Sequence, residues 1–230
     1  MPSDTPTAHL DTARDRVRGR RRELVDERDA LDQFCQRVEP LPVPDDATAA
    51  ASDGVGTAGA ADWLPALRRA FERTVLAVPH YRERYGDPAN DRLAAELGAD
   101  LAAALDRPTG LTPSLKTRVL DAVSAAHERR TARIVILDDE RTRLDRTERA
   151  VHDLLTTLGA VDGDADRIGP DVARVERRCE SLVADRRAVR ADDATDRLLA
   201  DVYADCPVDD PVVATVESVG RLVTVYRADA

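Results

Sequence analysis

LDDERTRLDRTERAVHDLLTTL, residues Leu137 to Leu158, decides the fold. Leu137, Leu144, Val151 and Leu158 recur at every seventh position, and most of what lies between them is charged or polar. On an α-helix such a column makes a narrow seam, which only another helix lying nearly alongside can cover. Neither Pro nor Gly interrupts the chain between Pro113 and Leu158, so one helix can run for ~70 Å at 1.5 Å per residue. The same spacing appears twice more. Leu10, Val17, Leu24, Leu31 and Val38 form one column; Ile168, Val175, Leu182 and Val189, with Tyr203 further on, form the other. The expected fold is all-α, with long antiparallel coiled-coil helices and a small helical subdomain.

The companion positions of these seams are expected at Arg21, Arg28, Arg141, Glu148, Arg186 and Asp193. A seam of one apolar and one charged column is weak per turn, and its charges select register and partner at a cost in stability.

Helix starts are marked by a capping residue followed by proline at Asp87-Pro88, Thr112-Pro113, Gly169-Pro170 and Asp210-Pro211, because proline suits the first helical position. Residues 1–39 should hold a coiled-coil helix from about Thr7 to Glu39, tolerating Gly19 at about 1 kcal/mol. Residues 40–61, rich in Pro, Ala, Gly, Asp, Ser and Thr, read as a disordered linker. Residues 62–110 read as the small helical subdomain. Trp63, Leu67, Ala70, Phe71, Thr74 and Val78 share one helix ending before Pro79, and Leu93, Leu97, Leu101 and Leu105 share the helix opened by Pro88. Residues 111–206 form a long helical hairpin, its second arm running from Pro170 to about Ala204. Residues 207–230 form a final helix striped by Val212, Val216, Val219, Val223 and Tyr226. The first helix can lie against this hairpin or against another copy.

The chain is 34% charged and 3% aromatic, with net charge −10. Asp outnumbers Glu by 32 to 12, and Lys116 is the single lysine among 34 basic residues. Such a surface stays hydrated when salt shortens charge repulsion to roughly 3 Å at 1 M, a composition like that of cytoplasmic proteins of salt-loving archaea, although a GC-rich genome of another kind would also favour Ala, Arg and Asp. The polar start, Met1 to Leu10, has no apolar signal core, and the longest aliphatic run, Ile134 to Leu137, is far short of the ~20 residues that span a bilayer. The expected location is cytoplasmic. Cys35, Cys179 and Cys206 are too scattered for a disulfide framework or a CxxC site and read as reduced apolar fillers.

The middle region carries a resemblance. Thr74-Val75-Leu76-Ala77-Val78-Pro79-His80-Tyr81, Tyr85-Gly86, Ala95-Glu96-Leu97-Gly98-Ala99-Asp100-Leu101 and Leu111-Thr112-Pro113-Ser114-Leu115-Lys116 resemble a family of uncharacterised haloarchaeal proteins, in which a similar helical segment sits between predicted coiled-coil arms. The likeness is most specific over about residues 67 to 120. It implies an origin and a domain plan, and brings no activity, ligand or catalytic residue with it.

The segment from Pro79 to Pro88 offers a possible recognition surface: His80, Tyr81, Arg84 and Tyr85, with tyrosines four apart beside arginine donors. The bland reading is a packed turn. Six arginines between Arg14 and Arg22 give a basic helix, the layout of a zipper-type nucleic-acid regulator. Against that, the heptad column continues through the basic stretch, Asp26, Glu27 and Asp29 follow at once, and high salt weakens phosphate contacts. His9, His80, His127 and His152 sit in no metal-binding pattern. Asp162, Asp164 and Asp166 match the first three ligand positions of a calcium loop, but Arg167 stands where it needs Gly and Ala173 where it needs Glu. No phosphate loop or paired nucleophile and base is recognisable.

The reading is therefore a non-enzymatic structural or interaction protein that associates through coiled-coil helices with its own copies or another helical protein. It needs no cofactor, metal, membrane or small-molecule ligand; a nucleic-acid-associated regulator using the Arg-rich first helix is the alternative. On this reading Leu144→Asp combined with Val151→Asp collapses helicity or oligomer size in multi-molar KCl, measured by circular dichroism and sedimentation.

Overall fold

The computed structural model describes residues 7–42, 63–86, 89–105, 112–159 and 165–228. Nine helices and no strand are found among them: α1 (Ala8–Val38), α2 (Trp63–Arg73), α3 (Tyr81–Tyr85), α4 (Ala89–Leu97), α5 (Ala99–Leu105), α6 (Pro113–Gly159), α7 (Ala165–Arg190), α8 (Asp193–Tyr203) and α9 (Pro211–Ala228). The all-α expectation holds. Most of the expected 40–61 linker, the Asp87-Pro88 start and the acidic turn at Asp162 and Asp164 lie outside the described residues, as does the side chain of Ile168.

Two compact units divide the chain. A central unit spans Arg22–Ile134, and a terminal unit combines residues up to Arg21 with those from Val135 onward. Each has its own core.

In the central unit Leu31, Phe34 and Val38 of α1 and Leu115, Val119 and Val123 of α6 pack with Trp63, Leu67 and Phe71 of α2, and with the leucines of α4 and α5. Phe34 meets Phe71 edge-on, ring centroids 5.5 Å apart. The middle region thus shares its core with the helices on either side rather than closing one alone. The α1 stretch runs antiparallel to α6: Asp32 faces His127, and Lys116 Nζ donates to the carbonyls of Glu39 and Leu41, 2.5 and 2.9 Å away. A cation there complements the negative end of a helix.

Two local expectations need correction here. The helix begun at Trp63 stops at Arg73; residues 74–78 form tight turns, with the Thr74 hydroxyl donating to the Ala70 carbonyl, so Val75 and Val78 both bury. The four leucines from Leu93 are all buried, yet on two helices. A repeat of four drifts ~40° per step on a helix, and Gly98, at φ +94°, resets that drift between α4 and α5. A positive φ of this kind favours glycine.

In the terminal unit Val151, Leu154 and Leu158 of α6 pack with Val172 and Val175 of α7 and with Val219 and Val223 of α9. Glu140 meets Arg186 further back, so α6 and α7 are antiparallel. The start of α1 lies antiparallel to α6, with Arg14 on Asp145 and Arg21 on Asp138.

The capping expectations divide. Thr112 accepts from the Leu115 amide, and Asp210 from those of Val212 and Val213. Pro170, by contrast, lies inside α7 rather than opening it. It faces solvent with Gly169, where water can take the carbonyl that proline leaves without a donor. The helix expected to reach Ala204 breaks at Ala191, because Asp192 takes an extended conformation and caps α8 by accepting from the Thr195 amide at 2.8 Å. α9 is a helix that buries Val212, Val216, Val219 and Val223, the side chain of Tyr226 lying outside the described residues.

The seam residues on α1 and α6 are buried throughout, from Leu10 to Val38 and from Leu137 to Leu158. On α7 Val175 is buried, whereas Leu182 and Val189 are only half-covered. The companion column differs from expectation: on α1 it is Ala13, Arg20, Glu27 and Phe34, three residues after each seam position, and on the second half of α6 it is Glu140, Thr147 and Leu154. Phe34→Ala should cost about 3–5 kcal/mol, the range for emptying an aromatic site in a packed core, read as a lowered denaturation midpoint.

Candidate functional site

Both units bury a carboxylate at a position where helix packing favours an apolar side chain. In the central unit Glu27, 1% exposed, accepts from Arg130 Nε at 3.2 Å and from the Tyr85 hydroxyl at 3.0 Å. Arg130 carries the charge onward, its Nη2 donating to Glu96 at 2.5 Å, where the Tyr81 hydroxyl also donates at 2.7 Å. Burial weakens the guanidinium's hold on its proton, but Glu96 and Glu27 more than reverse this, so its pKa rises. Burial, then the Glu96 charge, pushes the Tyr81 phenol well above its ordinary range.

The expected recognition surface is this cluster seen from its inner side, which corrects the surface reading. Tyr81 is 1% exposed, and Tyr85 spends its hydroxyl on Glu27 while Arg92 stacks on its ring at 5.0 Å. His80 Nε2 stands 3.4 Å from Glu27, and Arg84 reaches Glu23 at 3.5 Å. Of the four, Arg84 is exposed and His80 and Tyr85 are half-buried; the tyrosine hydroxyls hold α3 against α1 and α4.

The terminal unit repeats the chemistry with other residues. Glu140, fully buried, accepts two bonds from Arg186 Nη1 at 2.9 and 2.8 Å and one from the Tyr203 hydroxyl at 2.6 Å. Arg186 Nε donates to Asp210 at 2.7 Å, and the same carboxylate group caps α9. Burial works against the charged guanidinium, yet Glu140 and Asp210 raise its pKa further. The Tyr203 phenol is pushed up by burial and then by Glu140.

Arginines of the basic helix are drawn onto acids of the same unit. Arg14 bonds Asp145 and Glu148, Arg21 grips Asp138 through Nε and Nη2 at 2.7 and 3.0 Å, Arg20 is buried 3.8 Å from Asp201, and Arg16 lies 3.6 Å from Asp205. Arg21 holds the Asp138 carboxyl below the usual range. Arg22 is exposed. Cys35, Cys179 and Cys206 are half-buried free thiols. No metal-ready cluster of His, Cys, Asp and Glu occurs among the described residues, and no described helix is long and apolar enough to cross a membrane.

A family model described as a domain of unknown function (DUF7260) matches residues 8–227. The chain belongs to that family. The match spans both units, so the DUF7260 region includes both carboxylate clusters. No curated protein and no solved structure matches the chain.

The two tyrosines give these clusters a pH signature. Their folded pKa values lie above the ordinary 10.0, so unfolding releases protons once the medium passes that value. Their contribution is complete below about pH 10 and lost as pH rises. Tyr81→Phe and Tyr203→Phe should each lower stability at neutral pH by about 1–3 kcal/mol and flatten its alkaline decline, read from denaturation midpoints at neutral pH and up to about pH 11.

Proposed function

We propose that the chain is a non-enzymatic interaction protein of a salt-adapted cytoplasm, working by helix-to-helix association of the coiled-coil kind, with a second copy of itself as partner. The Asp-rich, lysine-poor composition and the resemblance to haloarchaeal sequences favour that setting. The buried acids and phenols favour a structural role, since Glu27, Glu96, Glu140, Tyr81 and Tyr203 are all engaged in bonds that join one helix to another. The nucleic-acid alternative draws less support, because Arg14 and Arg21 already bond carboxylates that phosphate would have to displace.

One observation carries the proposal. Leu222 and Val225 stand exposed, 37% and 57%, less than one turn apart on α9, whereas α1 and α6 have buried their seams. An apolar stripe on a terminal helix is a self-complementary edge when two copies meet about a two-fold axis. Covering the part of each side chain still exposed contributes roughly 1 kcal/mol, counted twice over in a symmetric pair, so Leu222→Asp with Val225→Asp should weaken dimerisation by well over tenfold and leave helicity unchanged. Sedimentation equilibrium in multi-molar KCl reads this directly. A wild-type chain that stays monomeric at every concentration sinks the proposal.

A further inference from the structure

We propose that the terminal unit holds a binding site for a small organic phosphate with an apolar body, formed between α6, α7 and α9. A cavity of about 320 Å³ opens there, at the lower end of the range for small-molecule sites. Part of its wall is apolar: Leu182 and Val189 of α7, with Val212 of α9. Leu182 and Val189 are the two seam residues left half-covered, and the cavity is what they face.

The rest of the lining is strongly basic. Arg143 and Arg146 of α6 and Arg178 and Arg186 of α7 all contribute, against the single carboxylate of Asp185 and the hydroxyl of Thr147. Arg186 is 4% exposed and fixed by Glu140 and Asp210, yet its Nη2 is buried without a hydrogen-bond partner. Arg143 Nη1 is buried without a hydrogen bond too, its guanidinium only loosely paired with Asp139 and Glu140 at 3.9 Å. Arg146 and Arg178 are exposed and pair with no carboxylate among the described residues. Buried donors normally find acceptors, so Arg186 Nη2 and Arg143 Nη1 are left in need of oxygen atoms that Asp185 and Thr147 do not supply. In a chain of net charge −10, two guanidinium groups without a carboxylate partner thus stand beside two that keep a buried nitrogen free of hydrogen bonds.

Phosphate answers that need better than carboxylate. Its dianion offers three terminal oxygens to several guanidinium forks at once, where a carboxylate brings one charge and two oxygens. The apolar wall is left for the organic part. Sequence alone implied no small-molecule ligand, because the four arginines are scattered over two helices and meet only in the fold.

Calorimetric titration with phenyl phosphate, inorganic phosphate and benzoate tests the site, at the lowest KCl that keeps the chain folded by circular dichroism. Phenyl phosphate should bind saturably, one per chain. Inorganic phosphate, lacking the ring, and benzoate, carrying one charge, should each bind at least about tenfold more weakly. Arg146→Ala and Arg178→Ala, both at exposed positions, should each weaken phenyl phosphate by about tenfold or more with unchanged helicity. Absence of saturable binding, equal affinity for all three probes, or full affinity in the double variant overturns the proposal.

Discussion

A carboxylate taken out of water must be met by a cation and by further donors, or it is strongly destabilising. Glu27 and Glu140 impose that condition on the two units of this chain. Each lies on a long helix at a position three residues past a seam aliphatic, Leu24 and Leu137 respectively. Each is answered by an arginine from another helix and a tyrosine from a shorter one. The match fixes register where leucines would tolerate sliding: moving either helix by one turn would strand a charge. Apolar columns supply the attraction, and the buried ions select which of several similar alignments is kept.

The short helices derive their positions from the same requirement. Tyr81 and Tyr85 tie α3 to Glu96 and Glu27. Tyr203, at the end of α8, reaches back to Glu140, and Asp210 at the start of α9 holds the same arginine. In each unit, the shorter helices are anchored through one polar centre in addition to their own apolar contacts.

Much of the architecture was legible in the sequence. The seven-residue columns on α1 and α6 are buried as read, and the proline-marked starts at Thr112 and Asp210 are capped as read. The misplacements have local causes. The sequence pattern suggests a companion column four residues after each seam position, at Arg21 and Glu148, where on α1 and the second half of α6 the buried companions lie three residues on. That offset hid Glu27 and Glu140 as interior residues. Arg130 could have been found, since it stands seven residues before Leu137 on the same column. The breaks at Gly98 and Asp192 depend on where distant leucines and Tyr203 must end up, which no local pattern carries. Of the segment at Pro79 to Pro88, Tyr81 turns inward, as the packed-turn reading has it, while Arg84 stays exposed; exposed and inward-facing tyrosines look alike in sequence, and only the presence of Glu96 and Glu27 beside them decides.

The single lysine has a consequence of another kind. Lys116 sits on the carbonyls of Glu39 and Leu41, just past the end of α1, so in these 230 residues the one side-chain primary amine is also the clasp on a helix end. Any reagent or enzyme that acylates lysine side chains would find only this latch to strike, removing the charge and the bonds together. The rate of that modification is a built-in gauge of how often the far end of the first helix lets go.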